Sequence, residues 1–334
     1  MNTKFLRNRL FYSISIVLII LFFLLVATTV LTPQAEAESI TDLIIDDFSD
    51  DNQNAYRYTN IENFVNAQTG AFMRSASEDN KLDILYNAIG ISESDLSGIN
   101  PSDLLTAESI TVSRTLITTK EDGTVTTRAA DKITEEEFDD IVNDKGNDGY
   151  MSGKIVVVQN SDYNHLSSTS GSFLAYGFEC AFTMTWIKDP TYRMTDKFTF
   201  CASNGAYMLN DCNGYLTAKN AMIIYNGITQ MYGPYKTDIT DKSYYSNGWS
   251  VFNVDLPSNV TSSTTIAKYS NLGVSVRARL YSLNNFNIRM NYAHKQIIPG
   301  DLGVSISTSG PSISFSGTSH REYQTSNMYV EIEK

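Results

Sequence analysis

The sequence predicts a mostly β protein: an antiparallel β-sandwich-like domain preceded by a small mixed helical region. Three observations carry that expectation. Tyr176, Phe178, Cys180, Phe182, Met184 and Trp186 fall on alternate positions, with Gly177, Glu179, Ala181, Thr183 and Thr185 between them. That is the period of a strand with one apolar face. Asn-Gly recurs at 204–205, 213–214, 226–227 and 247–248, and Asn-Gly supplies the two positive φ values of a type I′ hairpin. Upstream, residues 61–73 and 80–89 instead space their apolar residues as a helix does, for example Leu82, Leu85, Tyr86 and Ile89.

Taken in order, the chain opens with Lys4, Arg7 and Arg9, then an uncharged run of 21 residues from 11 to 31, Pro33 and Ala35-Glu36-Ala37. A basic start, an apolar core and small residues ahead of a cut are the parts of an export signal. The expected cut follows Ala37. The run is also long enough to span a bilayer at about 1.5 Å per residue, so the alternative is an uncleaved transmembrane helix with the body outside. Either way residues 38–334 are expected outside the cytoplasm, secreted or at the outer face of the membrane or cell wall.

The region 38–150 reads as mixed α+β. Asp46, Asp47, Asp50 and Asp51 suggest a polar, mobile lead-in. Gly90 suits the end of the second helix. Residues 92–105 read as helical turns around Pro101, 110–119 as a strand, Asp122-Gly123 as a turn and 125–127 as a return strand. Thr134-x-x-Glu137 is a capping box opening a short helix. A polar linker at 143–149 places the domain boundary near 150, and 151–334 is the antiparallel β domain.

Parity suggests specific hairpins there. A loop at Asn204-Gly205 would set Ala202 against Tyr207, Phe200 against Leu209 and Cys201 against Met208. Cys212 then lies roughly 13 Å along the strand, beyond the roughly 7 Å a disulfide spans, so without a bulge the thiols are free. Val274, Val276, Ala278 and Leu280 share parity with Phe286, Ile288, Met290 and Tyr292. A three-residue loop at Leu283-Asn284-Asn285 would pair Leu280 with Ile288 and Ala278 with Met290. A last hairpin would pair Ile306 with Ile313 and Val304 with Phe315.

Composition narrows function mainly by exclusion. The chain has 25 basic and 37 acidic residues; removing 1–37 takes away Lys4, Arg7, Arg9 and Glu36, leaving a net charge of −14. Nucleic acid is not an expected partner. Three cysteines and three scattered histidines lack zinc spacing. Asp144 to Gly149 begins like an EF-hand but has Gly at its third position and Ile155 at its twelfth, so it is rejected as one. No Gly-x-Ser-x-Gly is present, and no catalytic, cofactor or metal residues are assigned. Tyr225, Tyr232, Tyr235, Tyr244, Tyr245 and Trp249 crowd a segment rich in Asn and Gly. Of these, Tyr244, Tyr245 and Trp249 are the candidate binding residues, since flat rings beside amides stack on sugars.

The run Trp186-Ile187-Lys188-Asp189-Pro190-Thr191-Tyr192-Arg193-Met194-Thr195-Asp196 resembles a signature of an uncharacterised family of secreted proteins of Gram-positive bacteria. Tyr292-Ala293-His294-Lys295-Gln296 and the Ser-rich hairpin after it are similar to the same family. The resemblance implies export and a shared fold and no activity. Structural roles are expected for Trp186 in the core, Pro190 at a turn, Arg193 paired with Asp196 or Asp189, and His294 on its strand. The expected function is a non-catalytic binding or structural protein of the cell envelope or surroundings, with a surface glycan or a protein as partner and lipid contact only through 11–31 if that run is uncleaved. The alternatives are a membrane-active β-protein of pore-forming or toxin-like kind, using the hairpin 304–315, and a secreted hydrolase.

Overall fold

The computed structural model describes residues 42–51, 53–70, 77–120, 125–129, 143, 147–190, 193, 195–202, 205–209, 211–245, 249–295, 302–307, 310–315, 322–324 and 328–332. They belong to a compact unit spanning Asp42–Lys334. The export run, the Ala37 cut, the Thr134 capping box and His320 lie outside the described residues. No helix among the described residues is long and apolar enough to cross a membrane.

In chain order the elements are strands β1 (Ile44–Asp47) and β2 (Asn54–Thr59), helices α1 (Ile61–Gly70), α2 (Glu78–Ile89) and α3 (Ser102–Leu105), and strands β3 (Ser109–Lys120), β4 (Val125–Ala129), β5 (Asn147–Gln159), β6 (His165–Leu166), β7 (Phe173–Lys188), β8 (Thr195–Ala202), β9 (Tyr207–Met208), β10 (Asn213–Tyr225), β11 (Ile228–Asp238), β12 (Lys242–Tyr245), β13 (Trp249–Asp255), β14 (Val260–Thr261), β15 (Thr265–Ser282), β16 (Phe286–Lys295), β17 (Leu302–Ser307), β18 (Gly310–Phe315), β19 (Glu322–Gln324) and β20 (Met328–Ile332). The fold is mostly β and antiparallel, with a small helical region ahead of most of the strands. One large sheet runs β1-β2-β3-β5-β7-β15-β10-β11; a second runs β12-β13-β8-β16-β19, with β20 also on β16.

The alternation in β7 is explained by the face it turns to the second sheet. Phe178, Cys180, Phe182, Met184 and Trp186 enter one core with Val274, Val276, Ala278 and Leu280 of β15, Phe198 and Phe200 of β8, Phe252 of β13 and Phe286, Ile288 and Met290 of β16. Rings bridge the two sheets, Phe182 to Phe200 at 4.2 Å and Phe178 to Phe286 at 4.9 Å between centroids. Each such side chain contributes about 1.5–3 kcal/mol by leaving water. The helices cover the opposite face of β2, β3, β5 and β7. There Ile61, Val65, Leu85 and Ile89 pack on Ile110, Val112, Val156 and Val158. α2 begins and ends as its sequence dictates, with Ser77 accepting from the Asn80 N–H and Gly90 at φ 65° closing it.

Several expectations are corrected by this topology. The boundary expected near residue 150 falls inside β5, which pairs along its length with both β3 and β7, so 42–150 and 151–334 share one sheet. Asp46 and Asp47 belong to edge strand β1, opposite Arg57 and Tyr56, rather than to a mobile tail. Asn204-Gly205 makes no hairpin: β8 lies in the second sheet and β9 pairs with β15 in the first. The chain crosses between sheets there, and again between β15 and β16. The register of β17 and β18 is Ile306 with Pro311 and Val304 with Ile313, two residues from that expected. Asn213-Gly214 lies within β10. Asn226-Gly227, in contrast, forms the expected hairpin, with φ values of 49° and 75°.

Candidate functional site

Residues 186–190 and 193 belong to a corner where the chain leaves β7. Trp186 is buried in the core. Pro190 is buried where the chain leaves β7. The Asp189 carboxylate accepts the backbone N–H groups of Asn271 and Leu272, both at 3.0 Å. Arg193 donates to the carbonyl oxygens of Tyr269 at 3.0 Å and Pro257 at 3.1 Å and to Asn259 Oδ1 at 3.2 Å. Its countercharge is Asp189, 3.6 Å away; Asp196 is buried nearby in the sequence, at the start of β8. Together these bonds grip β15 at Asn271, whose φ of 52° breaks the strand's regularity.

Beyond that grip β15 continues into a ribbon made from its own first residues, the end of β10, the start of β11 and β14. Tyr225 stands opposite Ile228, Ile223 opposite Met231, and Met222 opposite Tyr232, with bulges after Ala218 and after Ile223. On the other side Met222 stands opposite Lys268 and Tyr225 opposite Thr265. The turn is tied back by the Asn226 N–H donating to the Thr264 carbonyl at 2.6 Å. At the base Tyr235 meets Tyr269 edge-on at 5.4 Å, and both pack on the sandwich core. The tip is different. Tyr225 is 53% exposed, Ile228 64%, Tyr232 84% and Val260 42%.

The helical layer stops short of β15, β10 and β11, leaving a groove of about 590 Å³ between residues 93–101 and that open half of the sheet. Its inner hydroxyls are already engaged: Ser97 donates to the Phe182 carbonyl at 3.3 Å and Thr217 to that of Gly273 at 3.2 Å. Lys236 caps the Tyr215 ring at 3.9 Å. Elsewhere on this face Glu179, 1% exposed, accepts from both Arg277 (2.9 and 2.5 Å) and Arg279 (3.0 and 2.5 Å). Both oxygens of that carboxylate are engaged as acceptors of charge-assisted bonds between the two guanidinium groups. Its signal in the sequence is an acid on a strand paired with one bearing arginines at i and i+2.

The three cysteines are free and buried. Burial pushes the Cys201 thiol up to about 11, that of Cys212 to about 12 and that of Cys180 well above its usual range. All three are protonated at neutral pH and poor nucleophiles. The described residues contain no group of three or more His, Cys, Asp or Glu placed to hold a metal. Of the candidate binding residues, Tyr245 stands opposite Trp249, and Tyr244 opposite Ser250, in the pairing of β12 with β13. His294 stands opposite Tyr323 in the pairing of β16 with β19. The side chains of these four lie outside the described residues. The exposed Tyr225 and Tyr232 come from the same aromatic segment.

No family model matches the chain, and no curated protein matches it. Among solved structures it is similar to the C-terminal domain of the Streptococcus pyogenes antigen I/II-family protein AspA, at 11% identity and a TM-score of 0.25, over 77% of this chain and 72% of that one. It is also similar to the Clostridium perfringens NetB toxin in the membrane inserted form, at 8% identity and a TM-score of 0.19, over 65% of this chain and 94% of that one. Scores this low carry no argument about this protein.

Proposed function

We propose that the chain is an exported, non-catalytic binding protein that works at or beyond the cell surface, and that the tip of the β10–β11 ribbon is its contact surface. The observation that supports this reading is the exposure of Tyr225, Ile228 and Tyr232 together at the end of a ribbon whose base is packed and bonded. Isolated exposed apolar residues are ordinary; several large ones gathered on one projection mark an interaction site. Tyrosines contribute large contact area at low entropic cost, which suits either a glycan or a protein surface. Export rests on residues 1–37, and N-terminal sequencing of the secreted form should begin at Glu38; a full-length chain retained in membranes would favour the anchor.

The test is retention of the exported chain by cell wall, membranes and secreted proteins of its own source. At least one fraction should retain it, and the double variant Ile228→Ser, Tyr232→Ser should lose retention while melting like the parent. Retention by none, or retention indifferent to the variant, would contradict the assignment.

A further inference from the structure

We infer that the ribbon tip seats in the headgroup layer of an anionic lipid bilayer. This rests on the reading of the tip as a contact surface and names its partner. It also departs from the expectation that only residues 11–31 meet lipid.

The first ground is that the tip is apolar on both faces. Opposite residues share a face and neighbours alternate. Tyr225, Ile228, Ile223 and Met231 therefore occupy one face, and Met222, Ile224 and Tyr232 the other. A medium that surrounds the tip receives both. The second ground is charge. Residues 220–235 and 256–267 contain no Asp, Glu, Lys or Arg, in a chain of net charge −12. Charges are costly at bilayer depth, and their absence from both strand ends of the ribbon fits insertion. The third ground is what stands just behind. The first charges met on leaving the tip are Lys268 and Lys219, both exposed. Lys268 stands opposite Met222, three residues from Tyr225, about 10 Å back along the strand. That is the depth to which interfacial elements sink, about 5–10 Å. Tyrosine rings favour that boundary, and exposed lysines behind it favour anionic over zwitterionic headgroups.

The test is co-sedimentation of residues 38–334 with vesicles of phosphatidylcholine alone or mixed with phosphatidylglycerol. Binding to the mixed vesicles should exceed binding to phosphatidylcholine by about tenfold, and should weaken at about 1 M salt, where the screening length is about 3 Å. Lys219→Gln with Lys268→Gln should remove the preference for the anionic lipid. Ile228→Ser with Tyr232→Ser should abolish sedimentation with both, and melting curves of the variants should match the parent's. No sedimentation of the folded parent with either vesicle, or sedimentation indifferent to both double variants, overturns the inference. If vesicles fail while retention by cell wall or secreted proteins stays sensitive to Ile228 and Tyr232, the lipid partner is wrong and the contact surface stands. If no fraction shows that sensitivity, both readings fall.

Discussion

Strand β5 and the tip of the ribbon share a sequence property and resolve it differently. In β5, Ile155 and Val157 face the sandwich core while Val156 and Val158 face the helices, so a stretch apolar on both faces is enclosed by the chain itself. In the ribbon, residues 222–225 are likewise four consecutive apolar residues, yet Tyr225 and its neighbours Ile228 and Tyr232 stay exposed. The helices that would be needed to cover them end over β7. Apolar sequence on both faces thus reports a demand for burial, and only the topology says whether the molecule meets it internally.

This comparison can be broken at its strongest point first. Ile155→Ala should destabilise by about 2–5 kcal/mol, because it empties a site closed on all sides, measured by chemical denaturation. Ile228→Ala should change stability by no more than about 0.5 kcal/mol; a larger loss would mean the tip is packed. Arg193→Ala should cost about 3 kcal/mol, since it leaves Asp189 without its cation and strips donors from the Tyr269 and Pro257 carbonyls. If its melting temperature matches the parent's, the corner does not hold the ribbon. A separate effect is a pH dependence. Burial raises Cys201 to about 11 and Cys212 and Tyr150 to about 12. A group whose folded pKa is raised is deprotonated more easily when unfolded. Its contribution is complete below the unfolded value, about 8.5 for Cys and 10 for Tyr, and is lost as pH rises through the folded value. Stability should therefore decline from about pH 9 to 12, and Cys212→Ser should flatten that decline.

Much of the fold was legible because local rules carried it. Period two found β7 and β15, helical spacing found α1 and α2, and Asn226-Gly227 turned as its backbone preference requires. Sheet membership was not legible. Phe286, Ile288 and Met290 do share a core with Val276, Ala278 and Leu280, as their common parity implies, but across the sandwich rather than as hydrogen-bonded neighbours. Parity reports which side faces the core, and says nothing about whether two strands lie beside or above one another. For the same reason Cys201 and Cys212 are free because the chain changes sheets between them, not because one hairpin spaces them apart. The candidate site was partly legible. Tyr225 and Tyr232 lay in the aromatic segment, but attention to rings favoured Tyr244, Tyr245 and Trp249. The stronger signal was an uncharged stretch around an Asn-Gly turn with no alternation.

The central claim, that the ribbon tip is open in the folded protein while the native thiols are closed, is tested most directly by thiol labelling of an Ile228→Cys variant. In the native state one thiol per chain should react at the rate seen in denaturant, and the three native thiols, buried and protonated, should react only on unfolding. An introduced thiol that stays unreactive in the native protein would show that the tip is covered, and the account would be wrong.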